Sequence, residues 1–356
     1  MGSLRLFLAI SVLIGHAKPI GSLRFMPDAT AVWLFFIISG FYMQMIVSGK
    51  YGSRVWTFYT NRILRLYPVY FIAAIIALFA VNDLSARLAA STFNLYWSTI
   101  IANATLFGGD LLFYFGHDGR LLVPPAWSVG LELWFYLLVP LLARSNVIGL
   151  LICSAASGLL ALYMEAAHPW SSYFFFPANF YLFGVGMMAY RSMMLLSESL
   201  PHWPTIARAV AAVGLALLAL RPLIPGFRNY SLAHEAVLAI CLPFIFEATR
   251  RLNWDRVIGN LSYSCYLLHE PVMNFLGPRP SGVATLLITL PLAVAVFVLV
   301  ERPIDRWRQK RASGCVVRAL AIPLVSSIGD RTAQACSTHH KAQRYGPSDV
   351  ITKDTA

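Results

Sequence analysis

Arg5 and His16 stand eleven residues apart in one apolar run, 4–20. Eleven steps of about 100° return a helix to nearly the same face, about 16 Å farther along its axis. With Arg5 at one surface of a bilayer core about 30 Å thick, His16 is expected near the midplane. An imidazole there either exchanges protons near neutral pH or packs helices through hydrogen bonds. The spacing alone leaves both uses open.

Four further groups of polar residues accompany this pair. Arg62 and Arg65 are three apart and share a helical face. Two planar guanidinium forks suit a phosphate, and they also serve as basic anchors at a membrane surface. Ser128 and Glu132 are four apart, following Trp127. If Trp127 marks the outer interface, Glu132 lies about 8 Å inside the span. A carboxylate at that depth needs a partner, and His16 is the expected one; a structural glutamate bonded to backbone or water is the alternative. Ser262, Tyr266 and His269 follow i, i+4, i+7 and form a polar stripe. Such a stripe is too costly to face lipid, so it faces a cavity or another helix, and Pro271 is expected to bend the helix beside it. Glu301 closes the last apolar run, where a carboxylate opposes the helix dipole. It needs Arg62 or Arg65 across the bundle, or Arg302 or Arg306 nearby.

The elements that must hold these residues are membrane spans. The chain has 356 residues, 58% hydrophobic and only 12% charged, against about 25% charged in a soluble domain. The pattern predicts an all-α, polytopic transmembrane bundle of about ten spans: 4–20, 29–47, 66–81, 127–143, 147–164, 173–190, 207–220, 231–249, 258–275 and 282–300. The stretch 93–107 is apolar enough for an interfacial or re-entrant segment, and as a full span it would reverse every later loop. The opening run is expected to remain as a span rather than be cleaved as a signal peptide, since no convincing cleavage site follows it.

Placing both termini in the cytoplasm puts sixteen basic residues inside, before the tail, and seven outside, as the positive-inside rule requires. The net charge of +12 is therefore mainly a topology signal, and no nucleic-acid partner is expected. Residues 1–311 form the membrane domain, and 312–356 a polar, basic and disordered cytoplasmic tail. The five cysteines have no metal-type spacing and suggest no disulfide framework; no metal is expected. The sequence carries no signal for oligomeric state.

The stretches RLFLAISVLIGHA, VWLFFIISGFYM, RILRLYPVYF, WSVGLELWFY, GNLSYSCYLLHEP and ERP occur in that order between residues 4 and 303. Together they resemble the membrane acyltransferase-3 family of polysaccharide O-acyltransferases. The resemblance places that family's arginine–histidine pattern on Arg5 and His16 and its arginine pair on Arg62 and Arg65. It places the tryptophan-serine-glutamate motif on Trp127, Ser128 and Glu132, and the tyrosine-leucine-histidine motif on Tyr266 and His269. Many members carry an acidic residue where Trp33 stands. No large extracytoplasmic esterase-like domain is expected at the C-terminal end, and 312–356 lie outside the stretches that carry the resemblance.

The resemblance implies acyl transfer, usually acetyl, from cytoplasmic acyl-CoA to a glycan or exopolysaccharide hydroxyl, in a bacterial inner membrane. His16 would take the hydroxyl proton as Glu132 holds its tautomer. Arg5, Arg62 and Arg65 would contact the anionic coenzyme A. Ser128, Trp127, Tyr266, His269 and Glu301 would support the substrates. A transporter or flippase for a lipid-linked or anionic solute also explains intramembrane charge, but predicts internal repeats that are not visible. A non-catalytic scaffold predicts that losing His16 is harmless.

Overall fold

In the computed structural model the described residues are 1–20, 26–51, 54–80, 93–220 and 231–309, and their regular elements are all helical. In chain order they are α1 (Gly2–His16), α2 (Asp28–Ile46), α3 (Val55–Ala80), α4 (Phe93–Thr105) and α5 (Gly109–Tyr114). Next come α6 (Trp127–Leu142), α7 (Val147–Ala167), α8 (Pro169–Phe174) and α9 (Phe176–Ser199). The chain then forms α10 (Trp203–Leu220), α11 (Ser231–Thr249), α12 (Asn253–Leu276) and α13 (Gly282–Val296). The expected tail and residues 81–92 of the long loop lie outside the described residues.

Each expected span has its helix. Seven are long and apolar enough to cross a membrane: α2, α3, α6, α7, α10, α11 and α13, the last continuing to Gln309. The other three depart for physical reasons. α1 is apolar but has 15 residues, about 22 Å at 1.5 Å each and short of the hydrocarbon core. α9 and α12 have 24 residues each but are less apolar. In α12 the cause is the stripe of Ser262, Ser264, Tyr266 and His269, all buried inside the protein. α4 has 13 residues, about 20 Å, also below a full crossing. α3 begins at Val55 rather than near residue 66, so Arg62 and Arg65 lie well inside a helix.

Lipid removes the hydrophobic drive between helices, so small residues and polar bonds hold the bundle. α2 packs on α9 through glycines: a Cβ on Gly186 would lie 2.0 Å from the Ile37 carbonyl oxygen, and one on Gly40 2.1 Å from that of Phe183. α1 meets α12 the same way, since a Cβ on Gly259 would lie 2.4 Å from the Gly2 Cα. At that end the Asp255 carboxylate accepts the Gly2 N–H at 2.7 Å, the Ser3 N–H at 2.8 Å and the Ser3 hydroxyl at 2.7 Å. A carboxylate from α12 thus caps the N-terminal amides of α1. At the other end Lys18 N–H donates to the Pro280 carbonyl at 2.9 Å, and Gly282 N–H to that of Lys18 at 3.1 Å. Arg191 of α9 donates to the Gln44 side chain and to the carbonyls of Leu142 and Ser145. It joins α2 to the C-terminal end of α6, where orphan carbonyls favour a cation.

Two expected outcomes follow. Gly186→Ala forces α2 from α9 and should cost about 1–3 kcal/mol, as overpacking does. Thermal unfolding in detergent checks this, and an unchanged midpoint would mean the helices part freely. The second concerns Asp110, in the short helix α5 outside the spans. It is 1% exposed, and burial pushes its carboxyl up to about 6. A pKa raised on folding favours the folded state below the unfolded value of about 3.9, an advantage lost as pH rises through the folded value. Asp110→Asn should therefore melt higher than the parent at pH 8, with the difference closing toward pH 4.

Candidate active site

α1 ends at His16, so the imidazole stands at an open helix end rather than inside a continuing span as expected for a midplane residue. Its side chain is 34% exposed. The clasped α1–α12 contact sets it against the buried ring of His269, with Nδ1 of His16 3.0 Å from Nε2 of His269. Nδ1 of His269 is 2.6 Å from the Tyr266 carbonyl oxygen. A carbonyl only accepts, so the proton of neutral His269 belongs on Nδ1 and its Nε2 can only accept. Nδ1–H of His16 must then be the donor to His269. The outer nitrogen of His16, Nε2, keeps a lone pair.

Two carboxylates flank this ring. Asp28, in the first turn of α2, places Oδ2 3.6 Å from Nε2, and Glu270 places Oε2 3.6 Å from Nδ1. These distances are too long for hydrogen bonds but close enough to stabilise an imidazolium. His16, His269 and Glu270 also each offer a ligand atom within 4.8 Å of one another.

One turn along α12, the Tyr266 hydroxyl meets the Ser128 hydroxyl at 2.8 Å. Both lie against the Pro125 carbonyl oxygen, at 3.1 and 3.0 Å. The stripe expected on α12 therefore faces α1 and α6. α12 stays helical through Pro271 to Leu276. Trp127, expected at an interface, is buried in an aromatic cluster with Phe36, Phe113, Tyr173 and Phe174. Trp33 packs edge-on against Tyr173 at 5.5 Å.

A second polar group surrounds Arg5. Its guanidinium lies 5.9 Å from the Tyr42 ring centre, in the field of Arg65, Glu132 and Tyr136. Arg65 feels Tyr136, Asp305, Glu301 and Glu132 and lines a cleft with Pro68, Asn260, Glu301 and Asp305. Arg62 turns elsewhere, into a pocket 5% exposed. There it lies 5.8 Å from the Phe58 ring centre and 6.0 Å from that of Tyr136. The two arginines thus do not present one fork pair to the cleft.

The pairing expected between His16 and Glu132 does not form. The carboxylates within 4.0 Å of His16, among the described residues, are Asp28 and Glu270. Glu132 accepts instead from the Tyr136 hydroxyl at 2.9 Å. The reason is register: Ser128 is level with Tyr266, so Glu132, one turn on, falls toward the arginines. Glu301 accepts a hydrogen bond from Ser264; among the described residues none of its expected arginine partners comes within 4.0 Å. Sequence reasoning missed Asp28, Glu270 and Asp255. Glu270 adjoins His269, and Asp28 opens the span after His16; their proximity to these rings depends on how the helices cross.

The family model described as an acyltransferase domain matches residues 2–301. The "Putative acetyltransferase ORF330" of Acidianus two-tailed virus is 22% identical over 324 residues, covering 86% of this chain and 90% of the viral protein. No solved structure matches. The helical bundle with its two groups of polar residues is therefore that of a multi-pass membrane acyltransferase, and the chain belongs to the acyltransferase-3 family.

Proposed function

We propose that this acyltransferase moves an acyl group, acetyl first among them, from cytoplasmic acyl-CoA to a hydroxyl of a glycan or exopolysaccharide precursor. The charge asymmetry of the loops supports an orientation with both termini cytoplasmic, in what we infer to be a bacterial inner membrane. The observation that carries the chemistry is the chain from His16 Nδ1 through His269 to the Tyr266 carbonyl. It leaves His16 Nε2 as an exposed base, oriented from behind as a catalytic imidazole must be.

An acceptor hydroxyl gives its proton to Nε2 as its oxygen attacks the thioester carbonyl. The C–S bond then breaks, and the departing thiolate takes the proton from the imidazolium. Asp28 and Glu270 stabilise the cation between these steps. His269 is a positioning residue. At the other end of α1, about 16 Å away along the axis, Arg5 and Arg65 bind donor phosphates, a separation the pantetheine arm spans. Arg62 supports that site from its aromatic pocket. Glu132 balances charge among the arginines, and Ser128 and Tyr266 line the path between the two ends.

Transfer of radiolabelled acetyl from acetyl-CoA to extracted surface glycans tests the reading. His16→Ala should lower turnover about 10²–10⁴-fold, the usual loss of a general base, with donor binding kept. Activity within a fewfold of the parent would remove His16 from the mechanism. For the donor site, Arg65→Lys should raise the KM for acetyl-CoA with little change in kcat, because an ammonium cannot reproduce the guanidinium fork. Glu132→Gln should shift donor KM more than turnover; a pure loss of kcat would return Glu132 to the chemistry of His16.

A further inference from the structure

The imidazole pair has a second use. His16 Nδ1, His269 Nε2 and the Glu270 carboxylate converge within 4.8 Å, and the two nitrogens are 3.0 Å apart. Zinc–nitrogen bonds of about 2.0–2.1 Å in a tetrahedral site put two nitrogens about 3.3 Å apart, so the rings need to separate by a few tenths of an ångström and turn so that both nitrogens face the ion. Two imidazoles and a carboxylate, with an open fourth position, are a zinc-type donor set and a poor one for magnesium or calcium.

The surroundings fit as well. A metal-bound histidine usually donates its other N–H to a carbonyl or carboxylate. Nδ1 of His269 already faces the Tyr266 carbonyl at 2.6 Å, and Nε2 of His16 faces Asp28 at 3.6 Å. The partial exposure of His16 and Glu270, 34% and 22%, leaves an approach from outside the bundle.

We propose that His16, His269 and Glu270 bind one divalent transition-metal ion of the zinc class, and that its binding switches off the general base. The ion takes the Nδ1 lone pair of His16, and the proton of the neutral ring moves from Nδ1 to Nε2, toward Asp28. No proton is lost overall, but Nε2 no longer has a lone pair to accept the acceptor hydroxyl's proton. The switch rests on His16 acting as the base; the binding site does not.

The test uses the full chain in detergent, stripped with a chelator and dialysed against Zn²⁺ alone, with bound metal measured. Saturable uptake of one zinc per chain is expected, and cobalt in its place should give visible d–d absorption. Glu270→Gln and His269→Ala should lose or strongly weaken uptake, and Asp28→Asn should weaken it about 10–100-fold, as loss of an orienting partner does. Glu270→Gln is the decisive variant should His269→Ala fail to fold. Absence of saturable uptake, or uptake unchanged in Glu270→Gln, overturns the site. In the transfer assay, zinc should inhibit with the midpoint at which it binds. Undiminished transfer with the site filled overturns the switch. Zinc uptake by a protein that shows no transferase activity even when stripped of metal would keep the site and reject the proposed function instead.

Discussion

α1 is too short to hold its place by crossing the membrane, so its position comes from bonds at both ends. Asp255 grips its first amides, and two backbone bonds tie Lys18 to the turn before α13. At the Asp255 end Gly2 and Gly259 let the backbones touch. A helix pinned at both ends has little freedom to slide or rotate, and an error of one residue would turn His16 by about 100°. The short contact between the rings of His16 and His269 follows from this clasp. Where apolar association gives no register, buried hydrogen bonds to charged groups do, since an unmatched alternative leaves a carboxylate or an amide without a partner.

Within that frame one carbonyl sets the tautomers. The Tyr266 oxygen decides the tautomer of His269, which decides that of His16 and which of its nitrogens keeps a lone pair. The same residue places its hydroxyl against Ser128. Tyr266 therefore couples α6 and α12 by its side chain and orients two imidazoles by its backbone.

Much of this was legible in the sequence and some was not. The helical class, a helix for each expected span and the residues of α12 that turn inward follow from apolar patterning, because lipid leaves few alternatives. Arg5 and His16 could be placed on one helix and one face because periodicity is local. The partner of His16 could not be read in the same way. The expected depth of Glu132 takes Trp127 as an interface marker, but Trp127 is packed inside an aromatic cluster, so its residue type has a packing reason as well. Asp28 and Glu270 are next to recognisable residues, yet which carboxylate reaches a given imidazole depends on helix crossing and register. Arg62 shows the same limit: it shares a helical face with Arg65, but neighbouring aromatics draw it into another pocket.

The separation of polar groups into two ends has its own logic. The Arg5 end gathers fixed positive charge moderated by Glu132, Glu301 and Asp305, suited to an anionic ligand. The His16 end gathers groups whose charge depends on a proton, with the carboxylates of Asp28 and Glu270 each 3.6 Å from the ring of His16. Bringing the ends together would set guanidiniums beside the imidazole and disfavour its cation. About 16 Å along α1 avoids that conflict. Under the proposed function the donor must be long enough to anchor at one end and react at the other, which a thioester on an extended arm satisfies and a compact acyl phosphate does not.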